Sequence, residues 1–148
     1  MFKKYIYFVI SIFIVTILVV LQTTLSNIFW LSSVDLPISL SLILKTYFSD
    51  LNGMNFGGQV PLVALVAAGY LIAYSVVELF LIWVDVKKPY AYALAGGAAL
   101  LAIVLLMPLA FYNLDLIAGA RTAIGKSILV LCGILSGYYY GSKLEKME

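Results

Sequence analysis

The chain has 148 residues, 64% of them hydrophobic and only 11% charged, with a formal net charge of +2 and a mean hydropathy of +1.10. Soluble domains run about 45–50% apolar and about 25% charged, so this chain has too little polar surface to coat a water-soluble fold, and its scattered lysines exclude the concentrated basic patch of a nucleic-acid binder. With no histidine, and Cys132 as its one cysteine, it lacks the residue sets of zinc, haem and iron–sulfur sites, an intrachain disulfide, and the general base of Ser-His-Asp or Cys-His nucleophiles, so neither a metal nor a cofactor is expected.

Lys3 and Lys4 precede an uncharged run, about residues 5–25, that is long enough to cross about 30 Å of hydrocarbon at about 1.5 Å per residue. A positive start and an apolar run also describe a signal peptide, but this run exceeds the usual apolar region and QTTLSNIFW has no small-x-small cleavage site. It reads as a retained first transmembrane segment.

The outer loop that follows carries its own pattern. Leu40, Ile43, Leu44, Tyr47, Phe48 and Leu51 recur at helical spacing, with Ser41, Lys45, Ser49 and Asp50 opposite. An amphipathic interfacial helix, lying on the outer leaflet or folded over the bundle, is predicted over about residues 37–52, with Asp35 capping its start, Pro37 in its first turn and Gly53 ending it. Residues 52–59 then read as a hinge.

The second span is predicted over about residues 61–84, with Pro61 in its first turn, and the third over about 90–111, where Pro108 can kink the last turn. The fourth takes about 117–141, followed by a tail at 142–148. Lipid offers no hydrogen-bond partner to an open strand edge, so the expected fold is a single all-α transmembrane domain, a four-helix bundle with one extra interfacial helix.

Orientation follows from the cations. Lys3, Lys4, Lys87, Lys88, Lys143 and Lys146 fall on the cytoplasmic side if both termini do, leaving only Lys45, Arg121 and Lys126 toward the outside. The expected location is a bacterial inner (plasma) membrane. Aromatic belts are predicted from Phe29, Trp30, Phe111 and Tyr112 at the outer boundary and from Trp83, Tyr90, Tyr92, Tyr138, Tyr139 and Tyr140 at the inner one.

A few polar residues need more than anchoring. A fourth span beginning at Ile117 would carry Arg121 about 6 Å and Lys126 about 13 Å into the slab, where a cation costs about 3 kcal/mol on insertion scales. Asp115 can cap that helix and approach Arg121, while Glu78 is the acid well inside a span, in a row with Tyr70 and Tyr74. Glu78 and Lys126 could form an ion-pair lock given tilt or a bridging water; alternatively Glu78, Tyr74, Asp115, Arg121 and Lys126 mark a ligand or ion path, or the cations receive a lipid phosphate or acidic solute.

Gly133, Gly137 and Gly141 strip side chains from one edge of the fourth span, and Ala91, Ala95 and Ala99 form a small row on the third. Close packing of these two spans is predicted, with self-association through the same edge as the alternative. AGARTAIGKS lacks P-loop spacing.

The functional expectation is therefore a non-enzymatic small membrane subunit or scaffold, partnered by lipids and by copies of itself or other membrane subunits. A carrier or channel component working as an oligomer is the second reading, and an enzyme acting on lipids through Glu78 or Asp115 the third.

Overall fold

The computed structural model describes residues 2–57, 60–110 and 117–147, and these are helical with no strand. Five α-helices follow in order: α1 (Phe2–Ser33), α2 (Leu40–Phe56), α3 (Leu62–Trp83), α4 (Lys88–Ala110) and α5 (Ala123–Glu145), with a 3-10 turn at Ala118–Arg121 before α5. Among the described residues, α1, α3, α4 and α5 are long and apolar enough to cross a membrane. Phe111, Tyr112 and Asp115 lie outside the described residues, so the predicted belt and cap there have no structural counterpart.

The chain runs up and down. The start of α1 meets the end of α3 through Lys4 and Glu78 and the end of α5 through Phe8 and Tyr140. One end of the bundle thus carries both described chain ends, and α2 and the 3-10 turn stand at the opposite end. The described chain ends and the α3–α4 connection lie at this end, which gathers Lys3, Lys4, Lys87, Lys88, Lys143 and Lys146.

Helix α1 runs further than expected, to Ser33, and its stop explains why Asp35 does not cap α2. Asp35 adopts the left-handed region at φ 57°, while the amides of Asp35 and Leu36 donate to Ser32 O and Leu31 O. This pair of bonds is a Schellman closure of α1, with aspartate where glycine is usual. Ser39 caps α2 instead, its side chain accepting from Leu42 N, and the helix runs through Gly53 to Phe56 before Gly57.

Helix α2 is tied down by two polar residues of its C-terminal half. Asp50, expected to face water, accepts a hydrogen bond from Thr24 Oγ1 at 2.8 Å. Asn55 Oδ1 accepts from Val63 N at 3.1 Å, which supplies the first turn of α3 with the cap that Pro61 cannot provide. Tyr47, Leu51 and Met54 pack against the core. Leu40, Leu44 and Phe48 point away from it, so the predicted apolar face is split between the bundle and the outside.

The core itself is sealed by branched and aromatic side chains. Val15 and Val20 of α1, Val66 of α3, Val104 of α4 and Leu129 of α5 are at most 2% exposed. Around them α4 and α5 pack most extensively, because glycines let their backbones approach. A Cβ on Gly133 would overlap Gly96 O, one on Gly137 would overlap Tyr92 O and stand 3.1 Å from Ala93 Cα, and one on Gly141 would meet Lys88 and Pro89.

The row of α4 that receives these glycines is therefore Pro89, Tyr92 with Ala93, and Gly96. Ala91, Ala95 and Ala99 are buried, but Ala99 stands on the flank toward α3, 4.0 Å from a Cβ built on Gly69. The helical period places a row at 91, 95 and 99 to one side of a row at 89, 93 and 96.

Candidate functional site

The residues singled out by chemistry separate to opposite ends of the bundle. Glu78, five residues before the end of α3, is an exposed side chain that pairs with Lys4 Nζ and accepts from Tyr92 Oη at 3.2 Å. The partner of Glu78 is thus a lysine from the first turn of α1. These groups line an open cleft of about 460 Å³ with Lys88, Leu144 and Met147.

Behind the cleft lies a tyrosine cluster. The rings of Tyr74 and Tyr140 stack at 4.8 Å and 5°, and Tyr92 stands edge-on to both, at 5.1 Å and 5.0 Å. Tyr70 continues the cluster at 5.0 Å from Tyr74 and donates from its hydroxyl to Gly133 O at 3.3 Å. Ser136 Oγ donates to Ser11 O at 2.6 Å, joining α5 to α1 beside it. The Tyr74 hydroxyl is buried with no hydrogen-bond partner among the described residues.

This cluster corrects part of the predicted inner belt. Tyr92 and Tyr140 are buried at 2% and 3% exposure, whereas Trp83, Tyr90 and Tyr138 are exposed. Position alone did not separate them, since all lie within a turn or two of a span end. What separates them is the glycine row: where α5 approaches α4 closely, Tyr92 and Tyr140 turn into the shared interior.

The opposite end holds Arg121 and Lys126. Helix α5 starts at Ala123, with Thr122 as its N-cap accepting from Gly125 N at 3.0 Å. Lys126 therefore stands in the first turn, its amide donating to Thr122 O, about 4.5 Å from the helix start by helical rise. The helix start at Ile117, from which its depth is reckoned, is not found. The preceding residues fold as the 3-10 turn, whose Gly119 and Ala120 are buried against α1.

Sequence reading missed the residue that holds this turn. Gln22 of α1 is 8% exposed and donates from Nε2 to Gly119 O at 3.4 Å. A Cβ on Gly119 would overlap the Gln22 amide, and one on Gly125 would overlap Gly119 O. The polar triplet Gln22-Thr23-Thr24 inside an otherwise apolar run was the available signal. Arg121 is exposed, and among the described residues neither it nor Lys126 makes an ion pair; Lys4 with Glu78 is the pair found there.

The fold and these sites define an all-helical chain with four helices long and apolar enough to span a membrane. Comparison with protein-family models, with curated proteins and with solved structures finds no match to this chain.

Proposed function

We propose that this chain is an integral membrane protein of a bacterial inner membrane, both termini cytoplasmic, and that it works as a non-enzymatic small subunit or scaffold. Its docking face is α3. The observation that carries this reading is an uneven covering of the spans: 22% of the apolar window of α3 is buried inside the chain, against 50% for α4. Along the uncovered side, Ala64 and Ala68 are exposed and continue into exposed Leu71, Ile72 and Leu79, an apolar face against which another helix can pack.

The α5 glycines do not serve this purpose, because α4 already occupies them. The bilayer placement draws on length. Counting from Lys4, about 30 Å of rise ends near Thr23 and Thr24, where α1 carries the polar triplet Gln22-Thr23-Thr24 and α2 is tied on through Asp50. Exposed Leu40, Leu44 and Phe48 then rest in the opposite interface.

Cysteine cross-linking tests the face and labelling tests the threading. In a Cys132→Ser background, Ala68→Cys is expected to trap a dimer or a partner adduct, and Leu105→Cys on the exposed side of α4 is not. Equal trapping from both positions removes α3 as the docking face. Single cysteines replacing Ser49 and Glu145 are expected to label from opposite sides of sealed vesicles.

A carrier or channel component, built as an oligomer, is the second reading. It is favoured by Glu78, Lys4 and Tyr92 opening on the cleft with the unpartnered Tyr74 hydroxyl behind them. Arg121 and Lys126 stand beyond the sealed core, so such a path would require helix movement. Proton or anion flux in liposomes that survives in the parent and is lost in Glu78→Gln supports it.

A further inference from the structure

We infer that the groove between α1 and the start of α5 is a binding site for an anionic phospholipid from the leaflet opposite the termini. The inference rests on the bilayer placement above, and not on the α3 docking face. The groove is an open cavity of about 890 Å³, large enough for the upper part of an acyl chain with its headgroup. Its apolar walls are Leu21 and Leu25 of α1 and Ile124 and Ile128 of α5, all exposed within the chain.

Polar groups gather at one end of these walls. Arg121, Asn27 and Thr122 line the mouth, and the anchoring of Gly119 on Gln22 sets Arg121 at the level where about 30 Å of rise from Lys4 ends. A phospholipid has the same division, with its phosphate at that level and its chains running inward. The Arg121 guanidinium presents a planar fork of donors that matches a phosphate and makes no ion pair among the described residues.

Gln22 shapes the base of the groove. It is more than nine-tenths buried, and its amide lies against the Gly119 backbone, with Nε2 donating to Gly119 O, which fixes the turn that carries Arg121. The cation that this turn presents favours a net-anionic headgroup such as phosphatidylglycerol over phosphatidylcholine, whose choline would bring a second positive charge beside Arg121.

Phe29 and Trp30 stand about two turns further out on α1, exposed and also lining the groove. Ring edges of this kind belong at the headgroup level.

Native mass spectrometry of the full chain in detergent, titrated with phosphatidylglycerol or phosphatidylcholine, tests the site. The parent is expected to bind phosphatidylglycerol more tightly, and Arg121→Gln to weaken that binding about tenfold while phosphatidylcholine changes little. Arg121→Lys should retain part of the preference, Ile124→Trp should weaken both lipids by filling the groove, and Lys126→Gln, outside the groove, should match the parent. Melting curves confirm that each variant is folded; if Arg121→Gln is not, Arg121→Lys against Lys126→Gln carries the comparison.

Equal affinity for the two lipids in the parent would overturn the site. So would equal losses in Arg121→Gln and Lys126→Gln, which would mean general charge attraction, or displacement of the lipid by millimolar inorganic phosphate, which would mean a free-anion site. Failure of the protein to stay with vesicles on alkaline extraction would remove the bilayer placement and the lipid site together. A negative α3 cross-link would leave the lipid result standing.

Discussion

Lys4 and Glu78, seventy-four positions apart in the sequence, form an ion pair that fastens the first turn of α1 to the end of α3. Both side chains are a little over two-fifths exposed, so solvent screens them and their coupling should resemble that of a surface pair. In a double-mutant cycle on detergent melting, Lys4→Gln and Glu78→Gln are expected to couple by no more than about 1 kcal/mol. Glu78→Gln combined with Lys126→Met should be additive within about 0.5 kcal/mol, because the two stand at opposite ends of the bundle. Strong coupling between Glu78 and Lys126 would contradict the described packing.

The left-handed Asp35 makes a separate prediction about the end of α1. A non-glycine residue there carries a steric cost that glycine does not, although glycine loses more chain entropy on folding. Asp35→Gly is expected to stabilise the protein by about 0.5–1 kcal/mol, and Asp35→Val to destabilise it. If the two variants melted alike, the Schellman closure would not be holding the turn.

How far the sequence could be read follows from which signals are local. The spans rest on apolar runs, and Pro61 and Pro89 mark where α3 and α4 begin to within a residue or two. Helix α2 is legible from its spacing, but its start is not, because Asp35 and Ser39 can both serve as caps and the choice depends on how α1 ends. The site was less legible. That Glu78 needs a cation follows from its chemistry, while the choice of Lys4 depends on how α1 and α3 are aligned, which no local pattern states. The start of α5 differs from the expected Ile117 for a similar reason: GARTAIG reads as a helix start, and only Gln22 on another helix shows why its first part is a 3-10 turn.

The split face of α2 lets docking on the bundle be tested apart from the proposed membrane contact. Thr24→Val removes the donor to Asp50 and leaves a half-buried carboxylate without its partner, so it should loosen α2 from α1 at a cost of about 1–3 kcal/mol. Phe48→Glu lies on the outward side, and should leave the detergent melt within about 0.5 kcal/mol of the parent while raising protease cleavage of the loop in vesicles. Equal protease exposure in detergent and in vesicles for the parent would mean that α2 makes no use of the bilayer.

The closest helix contact gives the sharpest stability test. At Gly137 even a methyl group would overlap the Tyr92 carbonyl, a backbone atom that cannot rotate away, so alanine is no mild substitution there. Either the two helices separate or α5 shifts along α4, and both disturb Tyr92 and Tyr140 within the tyrosine cluster. Gly137→Ala is expected to cost about 1–3 kcal/mol as an overpacking change, and Gly137→Leu more. Gly53 supplies the internal contrast, since a Cβ there meets nothing within 4 Å and the residue lies inside α2. Gly53→Ala should therefore stabilise by up to about 1 kcal/mol through helix propensity alone. Thermal melts of both variants in one detergent decide the matter: the same substitution should move the midpoint in opposite directions, and a Gly137→Ala midpoint at or above that of the parent would mean that α4 and α5 do not meet through the glycine row.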